Sequence, residues 1–412
     1  MRDDGRRTMD EGRETRGGRR KIKMRLMALR ACGFVLPSIH SSMIRAFQSL
    51  GVEVCDLAVP QNSNLIRTIK DTGREGYDAV FTMDLGANHD FISNLKDLQL
   101  SIRIPWIIWF VDDPEGYKFP EACEPTLTLP FCWDNEIVQK SISLSRMTLR
   151  HLPLATDPSL FYKEQENGDF HYPGGVFVGN TRHPNELLDL ISRTTPELPG
   201  EAEALWEIYR EDFRQPLHDL AWIGLRRKIN QPLEVIKTDP FCRLWVNACV
   251  YQLGIRKRKD VVSRVVESAG AVFGDEGWRD ILANGLYRGW VRYGEELRKI
   301  YNHSSFILDV RQPQSRTGLS QRVFDASACG TPVITEWSPE IENLFDPEEE
   351  LLCFRHSEEA REMKERCLQD PDKAHKMGEK ARKRVLAHHT YRHRAEQILQ
   401  ALHAVGGREE GA

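Results

Sequence analysis

Between Arg311 and Phe345 the chain reads RQPQSRTGLSQRVFDASACGTPVITEWSPEIENLF. Arg311, Arg322 and Asp325 cluster there around a polar loop and the helix that follows it. Gln312-Pro313 turns the chain, and Arg316-Thr317-Gly318 lets the backbone come close to a ligand because glycine has no side chain. Fixed guanidiniums beside a helix N-terminus are what an anionic ligand requires. Asp325 follows Arg322 at i+3, so both project from neighbouring points of one helix. The plainer alternative is a surface Arg–Asp pair, which contributes little.

Other chemistry-bearing residues stand at the ends of strand-like runs. His40 opens a helix just after the first strand. An imidazole there titrates near neutrality and can take a proton from a hydroxyl, or it can be a helix-start histidine with no chemical task. Asp112-Asp113-Pro114 ends the most apolar run of the first half. Those carboxylates suit a general base, a ligand for hydroxyl groups or a metal ligand, and equally a turn before proline. Asp84 and His89 follow another strand end with the same ambiguity. Asn180-Thr181-Arg182 follows the Gly-Gly strand of the second half, as a phosphate contact or a helix cap. His388, His389 and His393 resemble a metal cluster only if one helix runs through Thr390-Tyr391, where a break is expected. The basic runs Arg226-Arg227-Lys228 and Arg256-Lys257-Arg258-Lys259 read as solvated helix faces. They also suit contact with an anionic acceptor, lipid headgroups or a partner.

These residues need elements to position them. Strand-like runs at 23–34, 52–57, 77–83, 105–111, 126–129 and 150–153 alternate with helical patterns at 40–50, 64–70, 90–98 and 135–142. Ser38 is the expected N-cap of the first helix. Such alternation predicts a parallel, doubly wound α/β domain. The polar segment 157–173 marks a boundary, and a second alternation starts at Gly174-Gly175-Val176. It is interrupted by about 195–268, which reads as a helical insertion with helices at 239–253 and 259–268. It resumes with strands at 271–274, 286–290, 305–310 and 351–354, and closes on helices at 358–368 and 372–387. The expected division is a tail over 1–23, a first domain over 24–156, a second over 174–390, and a C-terminal helix over 391–405 that crosses to the first domain. Ligands of open α/β sheets lie outside the C-terminal ends of the strands, so the cleft between the domains is the expected site.

Composition agrees. A chain of 412 residues exceeds one compact core. A net charge of −4 makes it no electrostatic match for nucleic acid. No apolar run approaches the roughly 18 residues of a membrane span, so any membrane contact would be peripheral. Residues 1–23 carry charge but no apolar core, as in a disordered tail. Nine cysteines without a CxxC pair fit small buried hydrophobes in a reducing cytoplasm.

Asp325-Ala326-Ser327-Ala328-Cys329-Gly330-Thr331-Pro332-Val333-Ile334 resembles the signature of group 1 nucleotide-sugar glycosyltransferases of the GT-B fold. LDVRQPQSRTGLSQRVFDASACGTPVITEWSPEIENLF resembles more closely the CgeB-like, spore-maturation-type branch. The resemblance implies two Rossmann-like domains facing across a cleft. It implies transfer of a sugar from a nucleoside diphosphate donor to a hydroxyl or similar nucleophile on an unknown acceptor, without metal or other cofactor. It places Asp325 on the donor ribose and Arg311 and Arg322 near the phosphates. It brings His40, Asp112 and Asp113 forward as catalytic candidates across the cleft. The chain departs from the wider group at Thr317, where a second glutamate is usual. A sugar-nucleotide epimerase on the same fold, or a non-catalytic nucleotide-sugar-binding or scaffold protein, are the alternatives.

Overall fold

The computed structural model describes residues 24–31, 33–58, 65–73, 76–84, 89–114, 123–141, 147–165, 171–181, 198–229, 231–267, 269–283 and 285–406. The tail over 1–23, Cys32 and Arg182 lie outside them. Six strands form the first sheet: β1 (Arg25–Leu29), β2 (Glu53–Leu57), β3 (Ala79–Met83), β4 (Trp106–Phe110), β5 (Thr128–Cys132) and β6 (Arg150–His151). Their order is β2-β1-β3-β4-β5-β6, and every pairing is parallel. All five residues of β4, WIIWF, are buried, which a sheet covered on both faces requires. Helices α1 (Leu36–Ser49), α2 (Leu65–Gly73), α3 (His89–Ile102) and α4 (Asn135–Ser141) connect these strands. Helix α1 starts earlier than its expected N-cap, Ser38. Pro37 lies in its first turn, where a fixed φ and a missing N–H are tolerated, and no side chain caps it.

The second sheet has the order β11-β10-β9-β7-β8 and is again parallel throughout. Its strands are β7 (Val176–Val178), β8 (Ala271–Phe273), β9 (Ile307–Asp309), β10 (Val333–Glu336) and β11 (Leu352–Phe354). Between β7 and β8 stand α5 (Leu198–Tyr209), α6 (Leu217–Lys228), α7 (Leu233–Thr238) and α8 (Pro240–Val265). The two helices expected at 239–253 and 259–268 are one. Helix α8 runs unbroken for 26 residues, capped at Asp239, whose side chain accepts from Cys242 N. The strand expected at 286–290 is a single bridge, Tyr287 to Val272. Then follow α9 (Glu295–Asn302), α10 (Gln321–Ala328), α11 (Ile341–Leu344), α12 (Ser357–Gln369), α13 (Pro371–His388) and α14 (Tyr391–Gly406).

The domains share a core. One apolar cluster runs from the first sheet through Phe161 and Phe324 to Tyr391, and a second, with Phe177, Trp206 and Trp245, lies under the insertion. Helix α14 packs on α1 of the first domain. Arg394 fixes its start by donating to the carbonyls of Pro153 (2.7 Å) and Leu154 (3.0 Å). His389 and His393 are occupied by Leu344 O and by Thr390. Among the described residues no group of three His, Cys, Asp or Glu side chains is arranged to hold a metal, no helix is long and apolar enough to cross a membrane, and the cysteines are free thiols.

Candidate functional site

The loops after β1, β4, β5, β7, β8 and β9 all open on one cavity of about 620 Å³ between the sheets. The C-terminal strand ends of both domains therefore face each other across it, the geometry in which parallel sheets bind ligands. Phe34, 91% exposed, and Trp290, 61% exposed, stack across its mouth with ring centroids 5.8 Å apart.

On the second-domain side, α10 begins at the cavity. Ser320 occupies its N-cap position without capping it, because its Oγ donates to Asp309 Oδ1 at 2.5 Å instead. Arg322 lines the cavity, with Nε 3.1 Å from Asp309 Oδ1, Nη2 donating to Val310 O at 3.2 Å, and its guanidinium 5.5 Å from the centre of the Phe177 ring. Asn180 lines the same wall.

Arg311 also borders the cavity, and its guanidinium is held from behind. Its Nη2 meets Glu336 Oε1 at 2.7 Å and its Nη1 donates to Arg316 O at 2.6 Å. Glu336 is fully buried and is shared with Lys257, 2.7 Å away. Burial lowers Lys257 to about 8 despite that partner. Arg311 and Lys257 thus share one carboxylate, and a net positive charge stays at this edge of the cavity.

Asp325 is 1% exposed and accepts from Thr156 Oγ1 (2.7 Å), Gln321 Nε2 (3.0 Å) and Tyr293 Oη (2.7 Å). Burial pushes its pKa up to about 7 against those three donors. A carboxylate has about four acceptor positions, so Asp325 retains room for one hydroxyl rather than both hydroxyls of a diol.

Gly318 lines the cavity and, with its neighbours, also serves the domain contact. The backbone N–H groups of Arg316, Thr317 and Gly318 converge on Asp134 Oδ2 at 2.7, 2.8 and 2.8 Å. A Cβ on Gly318 would lie 2.7 Å from Trp133 Nε1, so the close approach that needs glycine here is to the first domain. The Arg316 side chain pairs with Asp113 across the cleft at 3.5 Å. Thr317 Oγ1 lies 3.1 Å from Asp134 and 2.9 Å from Glu340. A glutamate at 317 would press a third carboxylate against those two, which accounts physically for the departure at this position.

On the first-domain side Asp112 lines the cavity and accepts from Gln314 Nε2 at 2.7 Å. Tyr251 Oη donates to the other end of Gln314 at 3.1 Å. Behind Asp112, Asp84 is 2% exposed, has φ of 51°, and accepts from Val111 N and Asp112 N. Burial, then the charge of Asp112, pushes Asp84 up; burial likewise raises Asp112. His40 is not on the cavity wall. Its ring is buried beside Phe81, with Nε2 3.1 Å from Asp56 Oδ1, and burial lowers its pKa. The catalytic expectation for His40 is corrected by that placement, since a base must reach the proton it takes.

The sequence reading does not place Asp134 or the Tyr251 face of α8 at the cleft. Asp134 follows a strand as an unremarked residue of Trp133-Asp134-Asn135. Tyr251, Ile255 and Arg258 of α8 line the cavity at i, i+4 and i+7, one helix face. That spacing was a legible signal, obscured by the break expected after Leu253.

Residues 255–400 match a family model described as glycosyl transferase-like. Sucrose-phosphate synthase from Thermosynechococcus elongatus superposes with a TM-score of 0.53 at 12% identity, covering 94% of this chain and 100% of that one. HepE from Anabaena in complex with UDP-glucose gives 0.52 at 12% identity, over 92% and 100%. Its complex with UDP gives 0.51 at 10% identity over the same shares. The architecture is the GT-B fold. No curated protein matches the chain in sequence.

Proposed function

We propose that the protein is a glycosyltransferase, moving a sugar from a nucleoside diphosphate donor held by the second domain to an acceptor presented by the first. One observation carries this reading: a single cavity has the uncapped N-terminus of α10 with Arg322 on one wall and Asp112 on the other. The first wall suits a departing diphosphate, whose charge Arg322 and the helix N-terminus would carry in place of a metal. Asp112 suits removal of the acceptor's proton. The family match over 255–400, and the UDP-glucose held by the similarly folded HepE, support a nucleotide-sugar donor. The finer kinship is with the CgeB-like branch, and the setting is the cytoplasm.

The test is incubation with a panel of nucleotide-sugars, UDP-glucose first, with and without cell-extract acceptors. Release of nucleoside diphosphate is expected, and Arg322→Ala should cut it about 100-fold. Isomerised donor without release would replace transfer by epimerisation. Tight binding with no turnover in any mixture would leave a binding protein.

A further inference from the structure

Helix α8 brings a second guanidinium to the cavity wall. Arg258 stands in the basic run 256–259, expected on a solvated face, yet it is only 6% exposed. Its Nη1 donates to Asn180 O at 2.9 Å and its Nη2 approaches Val310 O at 3.4 Å. Both acceptors are neutral carbonyls. Its Nε is buried without a partner, and among the described residues no carboxylate oxygen lies within ion-pair distance of it.

Arg322 shares this environment. It donates to the same Val310 carbonyl, and both guanidiniums lie over the same Phe177 ring, at 5.8 Å for Arg258 and 5.5 Å for Arg322. The carboxylate beside them, Asp309, also accepts from Ser320 and from Thr335. Asp309, Glu336 and Asp275 act on Arg258 without forming an ion pair with it, so two like charges in a desolvated space stay costly, and an anion in the adjoining cavity would relieve that cost. The strain is visible in Arg258, which burial and then the charge of Arg322 lower to about 9. The N-terminus of α10, its Ser320 turned away, ends at the same wall.

We propose that Arg258, supplied by the helical insertion, is a direct ligand of the donor's diphosphate together with Arg322. The inference rests on the donor-side reading of the cavity given above. It assigns the insertion a part in binding as well as in packing.

Calorimetric titration of the full chain tests this. The probes are inorganic pyrophosphate and UDP, ADP and GDP, each diphosphate compared with its nucleoside. Arg258→Met, which keeps the packing on Phe177, should weaken pyrophosphate and the preferred diphosphate about 10-fold or more, and leave nucleoside binding and the melting temperature near wild type. Equal pyrophosphate affinity in wild type and variant, or equal losses for nucleoside and diphosphate, overturns the proposal. So does a wild type that binds no pyrophosphate at millimolar concentration. If Arg258→Met does not fold, Arg258→Lys decides. It keeps the charge and loses the fork, so a several-fold loss confined to phosphate-bearing ligands supports the assignment, and an unchanged profile sinks it. Arg258-dependent pyrophosphate binding without sugar turnover keeps this site and removes the transferase reading. Arg322-dependent turnover with pyrophosphate binding indifferent to Arg258 does the reverse.

Discussion

At the scale of single residues, Asp84 and Asp112 are neighbouring carboxylates that burial raises together. Asp84 Oδ1 is held by two backbone N–H groups, and its Oδ2 is buried without a partner. Between the ordinary value of 3.8 and about 8, the folded state keeps the Asp84 proton that the unfolded chain has lost. Stability therefore falls as pH rises through that window. Asp84→Asn should flatten this slope, read as the difference in denaturant midpoint between about pH 5 and about pH 8. Asp112→Asn, in contact with the cavity, should lower kcat about 100-fold or more and leave donor KM near wild type. Because Asp112 is itself raised, the acidic limb of the wild-type rate profile should lie above the range of a free carboxylate, and should disappear in the variant's residual activity.

At the scale of elements, α8 has two tasks. Its inner face joins the core under the insertion through Trp245, Cys249 and Val262, and its middle presents Tyr251, Ile255 and Arg258 to the cavity. The join to the loop after β9 is tight at Gly254. A Cβ there would lie 2.5 Å from Pro313 Cγ and 3.1 Å from its backbone Cα. Alanine favours a helix over glycine by about 1 kcal/mol, but this overlap should reverse the sign. Gly254→Ala is expected to destabilise by about 1–3 kcal/mol and to weaken donor binding, because Pro313 turns the loop that carries Gln314. Thermal melts and donor titration check both. A variant as stable as wild type would show that the loop gives way easily.

At the scale of the whole molecule, Asp134 ties the two domains together. Asp134 Oδ1 accepts from Glu136 N and Ile137 N, opening α4, and its Oδ2 fills the nest of N–H groups from the second-domain loop. Glu340 returns the contact by accepting from Asn135 N at 2.6 Å. Asp134→Ala leaves buried N–H groups of residues 316–318 without an acceptor, a cost of about 3 kcal/mol or more. Calorimetry is then expected to show two unfolding transitions for the variant against one for the wild type, and scattering a larger radius of gyration. One unchanged transition would place the coupling elsewhere, with α14 on α1 the next contact to cut.

Local pattern alone determined the two alternations of strand and helix, the interruption between β7 and β8, and the segment 311–345 as the most informative stretch. Those features depend on periodicity, turn residues and short motifs within a few dozen positions. Partners far apart in the chain were decided only by the tertiary structure. Asp325 is held by Thr156, 169 positions away, and the loop around Thr317 by Asp134, 183 positions away. Arg311 is paired with Glu336, a residue the sequence shows only as the end of a strand. His40 turned from the cavity toward Asp56, and Arg258 turned from solvent into it. A side chain's charge and reach are written in its type. Whether that charge is spent on a neighbour or left for a ligand depends on what folding places within about 4 Å, and no spacing along the chain records that distance.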